Sequence, residues 1–228
     1  GRYLGNIGLG SHIKWFFAMQ GIVSIFMPTV MGIVADRKME AQKVLSLCHG
    51  FAGVFMLGAG YYCISAGGNV EFAPLFILYS ISLAFFMPTI ALTNSVAYNA
   101  LRSEGMDPVK EFPPIRVFGT IGFICSMLTT NFLKFGGVAM QDSYTQLISS
   151  GILSVILCFY ALSMPKCPVN RNENKQSFVD AFGLKAYTLF KDSQFAVFFI
   201  FSMLLGASLQ ITNGYANTFL GSFASDPT

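Results

Sequence analysis

Six long apolar runs dominate the sequence and limit what the chain can fold into. They occupy roughly residues 15–35, 44–66, 73–99, 114–135, 145–164 and 194–222. A helix needs ~20 apolar residues to cross the hydrocarbon core of a bilayer, and each run is long enough. In lipid, backbone groups must be paired within the segment, so the runs should be helices rather than open strands. The sequence therefore predicts an all-α, polytopic transmembrane helical bundle with about six spans.

The composition supports a membrane protein and excludes several functions. Apolar residues make up 54% of the chain and charged residues 11%, whereas a soluble domain has about 25% charged residues. The net charge of +3 is small, and we expect no nucleic-acid partner. The five cysteines form no CxxC pair and are interpreted as free thiols. No metal-binding spacing and no nucleophile with a base is visible, so we expect no metal, no cofactor and no enzyme activity.

Basic residues predict the orientation of the chain. If the loop at 36–43 is cytoplasmic, ten basic residues fall inside and three outside, which is a clear positive-inside bias. The inside set is Arg37, Lys38, Lys43, Arg102, Lys110, Lys166, Arg171, Lys175, Lys185 and Lys191, and the outside set is Arg2, Lys14 and Lys134.

The segment 165–193 is the one stretch with the composition of a linker. It divides the chain into a helical part at 1–164 and a last helix at 194–228. Apolar residues recur at helical spacing from Phe178 to Leu189. This pattern predicts a helix at the cytoplasmic interface, or one packed on the rest of the protein.

Arg116 is the main charged residue inside a predicted span, in the run RVFGTIGF. Placing such a charge in lipid costs ~2.5–3.5 kcal/mol, so the residue is a functional candidate. Its side chain could instead snorkel to the headgroups, since Pro113 and Pro114 mark a nearby boundary. Arg116, Thr120 and Phe123 fall on one helical face. A guanidinium, a hydroxyl and a ring together suit a polyhydroxylated ligand with a flat part.

Two glycines in the same run, Gly119 and Gly122, occupy another face of the helix. Small residues allow helices to approach closely in membranes. The spacing therefore predicts that a neighbouring helix packs against this face.

The last span carries three carboxamides at helical spacing, Gln210, Asn213 and Asn217. Carboxamides in lipid are costly unless they are paired. They could bind a ligand, or they could hold helices together, and the pattern alone does not decide between these roles.

Two weaker polar features lie elsewhere in the spans. Asn94, Tyr98 and Asn99 form a cluster that is interpreted as interfacial rather than ligand-binding. His49 has no carboxylate in its own span, and we interpret it as a packed or hydrated residue rather than a proton carrier.

The segment GIVADRKM, Gly32 to Met39, resembles the signature of the major facilitator superfamily. The resemblance implies that Gly32, Asp36 and Arg37 belong to a cytoplasmic conformational latch. It also implies that the visible spans correspond to helices two to seven, and that the chain is a fragment without the first helix and most of the second half.

RVFGTIGF resembles helix five of the nucleoside/proton symporters within that superfamily. Similar sugar symporters pair the helix-five arginine with an acid on helix four, but the corresponding stretch here, ALTNSVAYNAL, has none. The resemblance therefore favours the nucleoside branch. It implies substrate contacts by Arg116, Thr120, Phe123, Gln210 and Asn213.

The expected function is nucleoside/proton symport across the bacterial inner membrane by alternating access. The expected partners are a nucleoside, a proton and the lipid bilayer, with the absent second half required for transport. A sugar or glycoside proton symporter of the same superfamily is the first alternative. A membrane sensor or scaffold without transport is the second.

Overall fold

A computed structural model describes residues 1–167 and 189–224. A short helix α1 and a 3₁₀ turn precede six long helices, and an antiparallel pair of two-residue strands lies between α5 and α6. All six long helices have the length and hydropathy to cross a membrane, which confirms the predicted all-α, six-span class. The bounds are α1 Arg2–Asn6, α2 Ile13–Arg37, α3 Ala41–Ser65, α4 Phe72–Ser103, α5 Pro108–Phe132, α6 Thr145–Leu162, α7 Ser193–Ala224, β1 Lys134–Phe135 and β2 Val138–Ala139.

Helix α5 begins earlier than its hydropathy predicts. The Oδ1 atom of Asp107 accepts a hydrogen bond from the backbone N–H of Val109 at 3.0 Å, and Pro108 occupies the first helical position. Both are favoured at a helix start. Pro113 therefore lies inside the helix and does not mark its boundary. Arg116 consequently lies more than two turns into α5, or roughly 12 Å at ~1.5 Å per residue.

The tightest helix contact joins α3 to α6. A Cβ atom at Gly53 would lie 2.8 Å from Cγ2 of Val155 and 3.0 Å from the carbonyl oxygen of Gly151. One at Gly60 would lie 2.6 Å from Cγ1 of Ile148. Only glycine allows the helices to approach this closely, and the sequence interpretation missed these positions.

The predicted close contact at Gly119 and Gly122 is wrong within the described part of the chain. Nothing lies within 4 Å of a Cβ position at Gly122, and only the Arg116 side chain does so at Gly119. The glycines of α3 and those of α5 thus have different roles, because α6 packs closely against α3 and no described helix packs against this face of α5.

Among the described residues, 3–167 form one compact unit, and 1–2 with 189–224 form another. In the first unit α3 is central, and the buried apolar core lies between it and α2, α4 and α6. The segment after α6 is tied to the start of α3, since the backbone N–H of Cys167 donates to Oε1 of Gln42 at 3.0 Å. The helix predicted from Phe178 to Leu189 lies almost wholly outside the described residues.

Candidate functional site

A cavity of about 430 Å³ lies between α3, α4, α5 and α6, and Arg116 is on its wall. This volume is within the range of small-molecule sites, ~300–1,000 Å³. Its wall is mostly apolar, and the aromatic ring of Phe86 contributes to it. The polar lining side chains are His49, Thr89, Thr93, Asn94, Arg116 and Tyr160.

The guanidinium of Arg116 lies against Gly119, one turn further along α5. Its Nη1 atom is 2.7 Å from the point that a Cβ atom at Gly119 would occupy. Gly119 lines the same cavity. The side chain is therefore folded along the helix away from its capped start at Asp107. Since that start is the end predicted to be cytoplasmic, this geometry favours the cavity interpretation over snorkelling to the headgroups.

Arg116 has no hydrogen bond or ion pair with any residue of the described ranges. A guanidinium has five N–H donors in a planar arrangement. No residue of the described ranges therefore competes with a ligand that offers oxygen acceptors to these donors.

The cavity does not include the other two α5 candidates. Thr120 and Phe123 are exposed, as Arg116 also is, but they are not among its lining residues. The α5 wall is formed by positions 112, 115, 116 and 119. Because residues advance by ~100° along a helix, Thr120 lies ~40° from Arg116, on the side away from Gly119, and Phe123 lies about one turn beyond Gly119.

His49 is a packed residue with an interhelical partner. It is 7% exposed, and the hydroxyl of Ser154 on α6 donates to its carbonyl oxygen at 3.0 Å. The same hydroxyl oxygen lies 3.4 Å from Nδ1 of His49. These contacts connect α3 to α6 close to the site where Gly53 packs against α6. They agree with the packing role that the sequence suggested for His49.

Asn94 lies on the cavity wall, where the sequence interpretation did not place it. The sequence interpretation grouped it with Tyr98 at the interface, but Tyr98 packs edge-on against Phe112, with ring centroids 4.6 Å apart. The Asn94 side chain is half-buried and lines the cavity through α4. Ile90, Thr93, Asn94 and Ala97 line it at i, i+3, i+4 and i+7, a helical stripe that the sequence already contains.

The remaining candidates lie away from this cavity wall or in the other unit. Gly32, Asp36 and Arg37 are in the last turns of α2, where Asp36 is exposed and Arg37 is half-buried. Gln210 is exposed on α7, and the side chain of Asn213 is outside the described residues. No cluster of three or more side chains suited to a metal ion occurs in the residues that the structure describes.

Comparison with known proteins identifies the family. The family model described as nucleoside H+ symporter matches residues 1–225. The nucleoside permease NupG of Escherichia coli (strain K12) is 39% identical over 218 residues, and the xanthosine permease of the same organism is 40% identical. Each alignment covers 96% of this chain and 49% of the relative, so the chain spans about half the length of these relatives.

A solved structure gives the same result for the fold. A crystal structure of a mutant of the nucleoside transporter NupG matches with a TM-score of 0.81 at 38% identity. The match covers 99% of this chain and 54% of that chain. These relatives are transporters, not enzymes or sensors, and this chain belongs to the nucleoside H+ symporter family.

Proposed function

We propose that the full-length protein carries nucleosides together with protons across the bacterial inner membrane. Its family and its similarity to proteins named nucleoside permease and xanthosine permease support this proposal. Transport would follow alternating access, in which two helical halves rock around a central site. Gly32, Asp36 and Arg37 would act as a latch at the cytoplasmic end.

The observation that carries the proposal is the guanidinium of Arg116, which has no partner among the described residues and lies on the wall of a cavity within the helical bundle. A charge at this depth is tolerated when it faces a water-filled space. Its N–H groups are matched to the oxygen atoms of a ribose, which offers adjacent hydroxyls. Thr120, Phe123, Gln210 and Asn213 enter the proposal as substrate-binding residues from the family resemblance.

Uptake of radiolabelled uridine into cells that produce the full-length protein tests the proposal. We expect uptake above that of cells with an empty vector, and we expect a protonophore to abolish the excess. Unlabelled nucleosides should compete. If disaccharides inhibit uptake and nucleosides do not, the function is sugar transport instead.

The 228 residues alone should bind nucleosides weakly and transport none. They correspond to about half of each curated relative, and we expect the proton-coupling carboxylates to lie in the other half. Uptake by cells that produce only this segment should equal that of the empty-vector control. Robust uptake by the segment would contradict this expectation.

A further inference from the structure

We infer that Asn94 is a nucleoside-binding residue, which reads the edge of the base from the α4 side of the cavity. This inference rests on the proposed function. Asn94 lines the cavity that Arg116 lines from α5. The two side chains therefore come from different helices to one space.

Most of the other polar side chains of the cavity already make hydrogen bonds within the protein. The hydroxyl of Thr89 donates to the carbonyl oxygen of Phe86 at 2.7 Å, and that of Thr93 donates to the carbonyl of Thr89 at 2.7 Å. His49 shares its hydrogen bonds with Ser154. Among the described lining side chains this leaves Arg116, Asn94, Tyr160 and the Nε2 atom of His49 for a ligand.

Asn94 has no hydrogen-bond partner within the described residues. Neither polar atom of its side chain is fully buried in the described chain, so both face the open space of the cavity, where a ligand can pair with them. If Asn94 only held helices together, it should contact a polar group of a neighbouring helix. Its position on a cavity wall without such a contact instead points to a ligand.

The chemistry of Asn94 complements that of Arg116. A guanidinium only donates, whereas a carboxamide both donates and accepts. Among the described residues that line the cavity, Asn94 is the only carboxamide and none is a carboxylate. A carboxamide pairs in two places with a base edge that presents an N–H beside a carbonyl oxygen, as uracil does. Asn94 thus binds the base edge, and Arg116 binds the ribose oxygens.

The test compares two ligands in the full-length protein, uridine and 3-methyluridine, by calorimetric titration. The methyl group replaces the hydrogen of the uracil N3–H, which would donate a hydrogen bond to the side-chain oxygen of Asn94. We expect the wild-type protein to bind 3-methyluridine about 10- to 100-fold more weakly than uridine. In Asn94→Ala, uridine affinity should fall by a similar factor, and the difference between the ligands should largely disappear, because contacting groups are non-additive.

A control and a second variant separate binding from stability. Asn131→Ala removes a carboxamide that donates to its own helix at Met127, and it should change neither affinity. Asn94→Ser keeps a small polar side chain in case the alanine variant does not fold, and it should show the same loss of discrimination. If the role of Asn94 is purely structural, these substitutions should lower the midpoint of denaturation of the protein. The ratio of the uridine and 3-methyluridine affinities should then stay at its wild-type value.

Each other outcome has a definite meaning. If the wild-type protein binds uridine and Asn94→Ala binds both ligands as the wild type does, this inference is wrong and the proposed function stands. If the wild type does not distinguish the two ligands, Asn94 does not read the base edge. If the wild type binds no nucleoside, the proposed function and this inference both fall.

Discussion

Helices α3 and α5 have the same length but very different surroundings. Twelve residues of α3 are buried, and no residue of α5 is buried within the described chain. The helix α3 is held by glycine contacts and by hydroxyls that bond to α6, as in the bond from Ser46 to the carbonyl of Cys158 at 2.8 Å. In contrast, α5 carries the unpaired Arg116. The comparison shows that α3 supplies much of the packing of this unit, while α5 contributes no buried residue to it in the described chain.

The largest effect should come from Gly53→Ala on α3. The new methyl group would meet two backbone atoms at 3.0 Å and a Val155 methyl at 2.8 Å, so α3 and α6 must separate. We expect a loss of about 2–3 kcal/mol of stability, measured by thermal or denaturant unfolding in detergent. Gly58→Ala on the same helix is the control, because its nearest neighbour, Cδ2 of Leu78, would lie at 3.8 Å. Equal stability of the two variants would contradict the proposed difference between α3 and α5.

The next effect concerns Arg116→Lys on α5. An ammonium cannot reproduce the planar, two-pronged contact of a guanidinium. Uridine affinity should fall about 10- to 30-fold, or roughly 1.4–2 kcal/mol at 1.4 kcal/mol per tenfold. Stability should not change, since the side chain has no partner in the described chain. Arg102→Lys, at the exposed end of α4, should leave affinity unchanged. Normal affinity in Arg116→Lys would mean that Arg116 does not bind the ligand.

A smaller effect is expected from Gly119→Ala. The added Cβ atom would be 2.7 Å from Nη1 of Arg116, so the guanidinium must move while the backbone stays in place. We expect uridine affinity to fall about 3- to 10-fold, with stability equal to or above that of the wild type because alanine favours helix. Gly122→Ala is the matched control, as nothing lies within 4 Å of its Cβ position. Equal affinities in these two variants would show that Gly119 does not position the arginine.

The smallest effect should follow Ser154→Ala on α6. The change removes the hydroxyl that donates to the His49 carbonyl at 3.0 Å. Interhelical hydrogen bonds in membranes contribute on average about 0.6 kcal/mol, and we expect a loss of that order with unchanged affinity. Ser163→Ala is the control, because the hydroxyl of Ser163 donates to the carbonyl oxygen of Tyr160, three residues earlier, and does not link two helices. A large loss of affinity in Ser154→Ala would place His49 in the binding site.

The sequence predicted the spans well because length and hydropathy suffice to identify a membrane helix. It missed the start of α5, where the Asp107 cap and Pro108 extend the helix beyond the apolar run. Arg116 could be identified as a functional candidate because a charged residue in a membrane span is costly whichever way its side chain is directed. Asn94 was recognised as polar, and its helical stripe is in the sequence, but only the rotation of α4 against its neighbours decides that this stripe faces the cavity.

The same limit explains the glycines. Gly53 and Gly119 look alike in sequence, since each stands in an apolar helix with another small residue nearby. Which of them meets a second helix depends on contacts between distant parts of the chain. Sequence spacing identifies a face, but only tertiary packing decides what covers it.

None of the described residues on the cavity wall is a carboxylate, and this has a kinetic consequence. In the described chain, an incoming molecule does not have to break an ion pair before it reaches Arg116. Association should therefore proceed without a preceding exchange of partners, and its rate should respond weakly to added salt. The affinity for the ligand would then depend mainly on its dissociation rate, which is set by how fast its hydrogen bonds to the guanidinium break.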